Sequence, residues 1–571
     1  MKKFLIILAL SLFFCAFTAC DTGSMSGILP SDGAESGEEE HTHVFDQEKT
    51  REKFLKSAAT ETDPAVYFYS CECGAKGEET FVFGTPLPAE PETPDPALGL
   101  VFAKNLDTTY SVIDYTGTEG EVAVPATYEG GAVTRIAPAA FQDCTQITSV
   151  TIPEGITMIG EKAFAGCTSL NTVTIPASIE LISADAFSDC SAIQTATLPI
   201  SAVSALPKGA LKTLVLNDGE AIEARSFYRC TALKSVTIPT SVKNISTEAF
   251  SGCTSLETIH IPAGVASVDY NAFSGCTSLE AIHIPASVTS VAHNAFSGCK
   301  SVSSITVDSE NSTYHSIDNC LIETEEKILV LGCKNSVIPA DETVTAIGAC
   351  AFYGCDELKT IELPAGIESI GNSAFAECKS LSSITFPAAL QSIGNSAFQK
   401  CTKLTSVKLP SLVKSVGSFA FSGCTGLTLV NISASATGVS ANAFSGCTKI
   451  TTASMPASMI SCIPQNSLTT VEINMGSSIA SGAFRDCTTL QSVIIAPTSG
   501  ITTISSSAFY GCTSLSSVTL PADVSSIGYS AFGNCGSLTT IHYQGTKRQW
   551  SSVSKGGISS GVNIVCSDGT Y

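Results

Sequence analysis

At 571 residues the chain exceeds the ~100 to 200 residues of one ordinary domain, so it holds several domains or an array of repeats. Its 30 basic side chains stand against 52 acidic ones, a formal charge of -22, and a nucleic-acid backbone or an anionic membrane surface would repel it. Hydrophobic residues reach 44% and charged residues only 14%, which excludes whole-chain disorder and predicts a surface built from hydroxyls.

Met1-Lys2-Lys3, the apolar run Phe4 to Phe17 and the small residues before Cys20 read as a signal peptide over residues 1–19. Phe17-Thr18-Ala19-Cys20 resembles a bacterial lipobox, with Phe17 where Leu is commonest. Cleavage before Cys20 and acylation of its thiol are expected, with conventional cleavage and secretion as the alternative. Acyl chains at ~0.8 kcal/mol per buried CH₂ hold a domain on a membrane without a spanning helix. No other apolar segment has the ~20 residues that cross a bilayer.

Residues 20–40 are rich in Ser, Gly and Glu and read as a lipid-anchored, disordered tether. Residues 41–84 resemble a small Cys-Gly module of bacterial surface proteins, although Ala58-Ala59-Thr60 is followed by Glu61 where those modules carry Cys. His41, His43, Cys71 and Cys73 form a chemically possible N₂S₂ zinc set; a structural spacer is the other reading. Residues 85–100 form a proline-rich linker, extended and semi-rigid.

From residue 101 onward the motif Ala/Ser-Phe-x-x-Cys recurs fifteen times, from Phe141 to Phe532, mostly at a spacing of 23. Two gaps of 40 each hold a shortened turn lacking the motif, around Leu211 to Leu216 and Leu468 to Ile473, so seventeen turns are expected. In one unit Val173 and Ile175 point inward from a strand, Thr172 and Thr174 point outward, and Pro176 ends the strand. Ala186, Phe187 and Cys190 close the turn as apolar filling. No unit buries this face alone, so stacking is required.

These residues resemble the 23-residue, Treponema-type leucine-rich repeats of BspA-like bacterial surface proteins over about four fifths of the chain. The resemblance implies a leucine-rich-repeat solenoid of short stacked parallel strands with short helical turns and terminal caps. Val122 to Val133 resembles that family's opening hairpin, residues 541–571 its closing cap, and residues from about 308 to 340 its hairpin insertion. Asp308, Glu310 and Asp318 within the insertion lack the spacing of a calcium loop.

Export permits disulfides, yet side chains stacked in one column run parallel rather than toward each other, so the motif cysteines are expected as buried thiols. Gly557-Ile558-Ser559-Ser560-Gly561 matches a nucleophile elbow but falls in the closing cap, without its strand-turn-helix context. No enzyme activity and no cofactor are expected. The outward strand positions, Thr172, Thr174, Ser235 and Thr237 among them, offer hydroxyls at a ~4.8 Å repeat. His260, His283, Glu362 and Lys408 break these rows and complete the candidate ligand face; plain solubilising β-formers are the alternative.

The resemblance further implies a monomeric adhesin on the outer surface of a bacterial envelope, touching the membrane only through its lipid. Its partner would be an extracellular protein or glycan, on host matrix or neighbouring bacteria. An envelope structural or polysaccharide-binding lipoprotein is the alternative.

Overall fold

The computed structural model describes residues 55–57, 64–70, 76–86 and 99–571, apart from 557, 559 and 560. The chain divides into two units, residues 1–85 and 86–571. In the first, strands Leu55–Ser57, Pro64–Ser70 and Lys76–Pro86 form one sheet, its first two strands antiparallel.

The second unit is a β-solenoid with three columns. Along one side, strands of mostly two to four residues stack in parallel, with Val150, Val173 and Ala196 in register. This long face follows from the alternation in Thr172–Thr174, where Val173 is fully buried and the threonines stay half-exposed. Beyond each strand a Pro-x-x-Ile/Val turn forms, as where Val265 N–H donates to the Pro262 carbonyl at 3.0 Å. The chain then adds a two-residue strand, such as Met158–Ile159, to a second parallel ladder.

The third column holds the Phe-x-x-Cys turns. Phe141, Phe164 and Phe187 stack 4.7 and 4.8 Å apart with nearly parallel rings, a separation set by the strand spacing. Backbone bonds tie turn to turn, Phe164 N–H donating to the Ala186 carbonyl at 2.8 Å. The residue two after Phe takes a left-handed conformation, as in Gly252 and Gly275 with φ of +76° and +73°. That is why Gly so often precedes the cysteine.

The sequence predicts seventeen turns; the structure has about twenty. The three additional turns, which like the two shortened ones lack the motif, are the opening strand Glu121–Ala123, a turn through Lys334–Ile338, and the closing strand Asn563–Cys566. The predicted short helical turns are instead chains of hydrogen-bonded turns. Among the described residues, helix occurs as 3-10 segments at Ile200–Ala205 and Ala457–Cys462 and one α-helix at Lys547–Ser552. A 23-residue unit that must feed two ladders leaves no length for a helix in every turn.

The two 3-10 segments sit in the shortened turns, and their surroundings repeat. Asn217 Nδ2 donates to the Ile175 carbonyl at 3.0 Å and Asn474 Nδ2 to the Ile432 carbonyl at 2.8 Å. Lys208 donates to the Ser226 carbonyl and Gln465 to the Ala483 carbonyl. Both pairs are offset by 257 residues (474 − 217 and 465 − 208), so the two shortened turns are built alike.

Both ends are closed. Strands Leu100–Lys104 and Tyr110–Tyr115 pair antiparallel and lead into Gly131–Ile136, so the opening cap begins earlier than the hairpin at Val122 to Val133. At the other end the helix carries a Thr546/Gln549 capping box and seats the buried Trp550 against Tyr543, ring centroids 5.0 Å apart.

The insertion is a three-stranded meander, Tyr314–Ile317, Cys320–Glu323 and Ile328–Leu331, which joins the second ladder at Ala346–Ile347. It divides the core into two clusters. Cys320, Ile322 and Leu329 face one, and Tyr314, Leu321 and Val330 face the other.

Candidate binding face

Thr172 and Thr174 lie on one strand of the long face, paired to Thr195 and Thr197. Ser235 and Thr237 lie three strands beyond Thr172 and Thr174, paired to Thr213 and Val215. Val215 therefore interrupts the hydroxyl row at the first shortened turn.

His260 directly follows strand Thr258–Ile259, the last of one seven-stranded sheet, and His283 lies within Ala281–Ile284, the first strand of the next. The 23-residue spacing gives them equivalent positions on successive turns, but the ladder breaks between those two strands. His283 pairs with Thr306, its Nδ1 hydrogen-bonded to Thr306 Oγ1 at 3.0 Å. Glu362 pairs with Thr385 and Lys408 with Asn431, both charges exposed on separate rungs. The structure thus lines up the predicted face residues without gathering them into one cluster.

Two exposed apolar side chains on this face escaped the hydroxyl pattern: Leu429 and Ile494 are 43% and 39% exposed. Their signal was present in the sequence, an aliphatic residue at an outward strand position. Ion pairs cross adjacent turns at the repeat spacing, Lys234 to Glu257 at 3.0 Å, Lys334 to Glu357 at 2.8 Å and Lys400 to Glu377 at 2.7 Å. Each is solvent-exposed and screened by water, so none is a major source of stability.

Cys20, His41, His43, Cys71 and Cys73 lie outside the described residues, as do Gly557, Ser559 and Ser560 of the elbow-like motif. In the insertion, Asn311 fixes the loop that carries Asp308 and Glu310. Its Nδ2 donates to the carbonyls of Pro285 and Val288, and its Oδ1 accepts from Thr313 and Tyr314 N–H. Asp318 and Asn319 form the left-handed pair of a two-residue hairpin turn, with φ of 47° and 62°.

Twenty cysteines are described, all as free thiols. Eleven of the fifteen motif thiols donate to the carbonyl of the motif Phe one turn earlier, at 3.0 to 3.3 Å. Cys144, Cys230, Cys355 and Cys487 each begin a new run after a cap, shortened turn or insertion; Cys487 bonds to Gln465 Oε1 instead. Burial pushes the thiols of Cys276, Cys355 and Cys512 up to about 12, because a thiolate there would lose its water. The column is therefore more than apolar filling.

The model of the BspA type leucine rich repeat region (6 copies) matches residues 134–217, 220–324, 331–451 and 461–553. Among solved structures, a leucine rich cell surface protein from Faecalibacterium prausnitzii A2-165 is 25% identical, covering 83% of this chain and 100% of its own, with a TM-score of 0.35. A leucine-rich repeat protein from Bacteroides ovatus ATCC 8483 is 21% identical over 85% of this chain and 99% of its own, with a TM-score of 0.33. The pneumococcal vaccine antigen PcpA is 18% identical over 84% and 99%, with a TM-score of 0.31. No curated protein matches the chain.

Proposed function

The chain belongs to the BspA-type leucine-rich-repeat family, and from that membership we propose that it is a non-enzymatic cell-surface binding protein, an adhesin whose partner is an extracellular protein or glycan on host matrix or neighbouring bacteria. The observation that carries this reading is the long face. Its inward positions are closed by the core, and its outward positions present Ser and Thr on strand after strand, as in the paired rows Ser149, Thr172, Thr195, Thr213 and Ser235. Regularly spaced hydroxyl donors and acceptors on a rigid ladder suit an extended partner, since little entropy is lost in ordering them. Exposed Leu429 and Ile494 add apolar contacts that a purely solubilising face would not need.

Display on the outer surface through an acylated Cys20, with the protein acting as a monomer, completes the reading. Among the described residues no helix is long and apolar enough to cross a membrane.

The deciding experiment is capture of matrix proteins, glycan panels and whole bacteria by the mature chain. The proposal expects capture that falls at least tenfold in a variant carrying Glu362→Ser, Lys408→Ser and Leu429→Thr. Equal capture by that variant would remove the long face from the function, and protection from protease on intact cells would remove surface display.

A further inference from the structure

Arginine is scarce here, six in the chain, and two of the six stack on one exposed tyrosine. The guanidinium carbons of Arg225 and Arg229 lie 5.4 and 5.2 Å from the centre of the Tyr228 ring. All three side chains are exposed, on the turn column rather than the long face, in the first turn after a shortened one.

Local charge runs against the rest of the molecule. Residues 206–234 hold five basic and three acidic side chains, net +2, in a chain whose net charge is -22. Arg225 is paired with Glu248. Arg229 has no acidic partner among the described residues. Its stem packs over Gly252, the residue at the same place in the next turn, where an added Cβ would come within 3.2 Å of Arg229 Cγ. Gly275 continues this side-chain-free strip, and half-exposed Ser251 and Ser274 run beside it.

We propose that Arg229, with Arg225 and Tyr228, forms a second binding site, for the carboxylate of an acidic sugar such as a uronic acid. Both guanidinium carbons lie over the Tyr228 ring, and Arg229, which has no acidic partner among the described residues, keeps the planar fork that grips a carboxylate with two parallel hydrogen bonds. The glycine strip lets a bulky ring lie close to the backbone, and the serine hydroxyls suit the hydroxyls of a sugar. A peptide fits less well. Backbone N–H groups in this column are spent between turns, as where Arg229 N–H donates to the Ser251 carbonyl at 2.7 Å, so they offer no strand edge. The overall negative charge repels long polyanions, so a short acidic saccharide is the natural ligand.

The site is separate from the long face, and its test separates the two. Binding of digalacturonate, its neutral methyl ester and a triglutamate peptide to the mature chain is measured by calorimetry at low and at physiological salt. Digalacturonate binds, the ester at least tenfold more weakly, and affinity falls with salt. Arg229→Ala costs tenfold or more, and Arg229→Lys, which keeps the charge but loses the fork, is also weakened. Lys449→Ala, at an exposed lysine in neither site, changes nothing. Unchanged melting of the Arg229 variants ties the loss to the site. No binding, equal binding of the ester, stronger binding of triglutamate, or undiminished binding by Arg229→Ala would each overturn the proposal.

Discussion

The Cys190 thiol donates to the Phe164 carbonyl at 3.0 Å, and the same carbonyl accepts the Cys167 backbone N–H at 3.2 Å. One oxygen thus closes its own turn and ties it to the next. Cys190→Ala removes a buried hydrogen bond and leaves a small void, so a loss of about 1 to 2 kcal/mol is expected in denaturant unfolding. An unchanged midpoint would show the sulfur to be filler alone.

Burial raises three thiols of this column from 9.0, Cys535 to about 11 and Cys276 and Cys512 to about 12. Above pH 9 the folded chain then binds more protons than the unfolded one, so stability is full below that pH and falls as pH rises toward 12. Equilibrium unfolding between pH 8 and 11 checks the sign; a flat profile would contradict it. Thiol titration of the native protein should be slow, and complete after unfolding without reductant.

Phe250 is fully buried between Phe227 and Phe273, 5.1 and 5.3 Å away. Phe250→Ala should cost about 3 to 5 kcal/mol. The outward Thr237→Ala, on a neighbouring strand, should stay within about 0.5 kcal/mol. Calorimetric melting of both variants tests the assigned inward and outward faces together.

His260 and His283 are both exposed. The double substitution His260→Ser, His283→Ser should leave melting unchanged within about 0.5 kcal/mol. A large shift would mean that the outward register of these turns is wrong.

Acylation at Cys20 predicts a lipid-modified amino-terminal cysteine in the mass spectrum of the mature protein, and release into the medium of Cys20→Ser. An unmodified terminus at another residue would remove the anchor from the proposal.

The repeat was legible because Phe, Cys and the inward aliphatics recur at one spacing, and the same spacing placed Thr172, Ser235 and Lys408 outward. What carries no recurring residue stayed hidden. The turns at Glu121–Ala123, Lys334–Ile338 and Asn563–Cys566 lack the motif and escape a count by spacing, although the first and last fall in segments read as opening hairpin and closing cap, and the hairpin Leu100–Lys104 with Tyr110–Tyr115 has no counterpart elsewhere in the chain. The thiol-to-carbonyl bonds depend on how two turns overlap, which spacing alone does not fix. Nor does it reveal that the ladder breaks between His260 and His283.

The meander from Tyr314 to Leu331 gives each core cluster its own inner wall. A stacked array normally transmits damage, since a lost turn bares the apolar layer of its neighbour. Here that spread meets a bulkhead. Loss of turns on the carboxy-terminal side leaves Tyr314, Leu321 and Val330 still covering the other half. A nick or a lethal substitution on one side is therefore contained there, and the opposite half can keep its own binding surface in service.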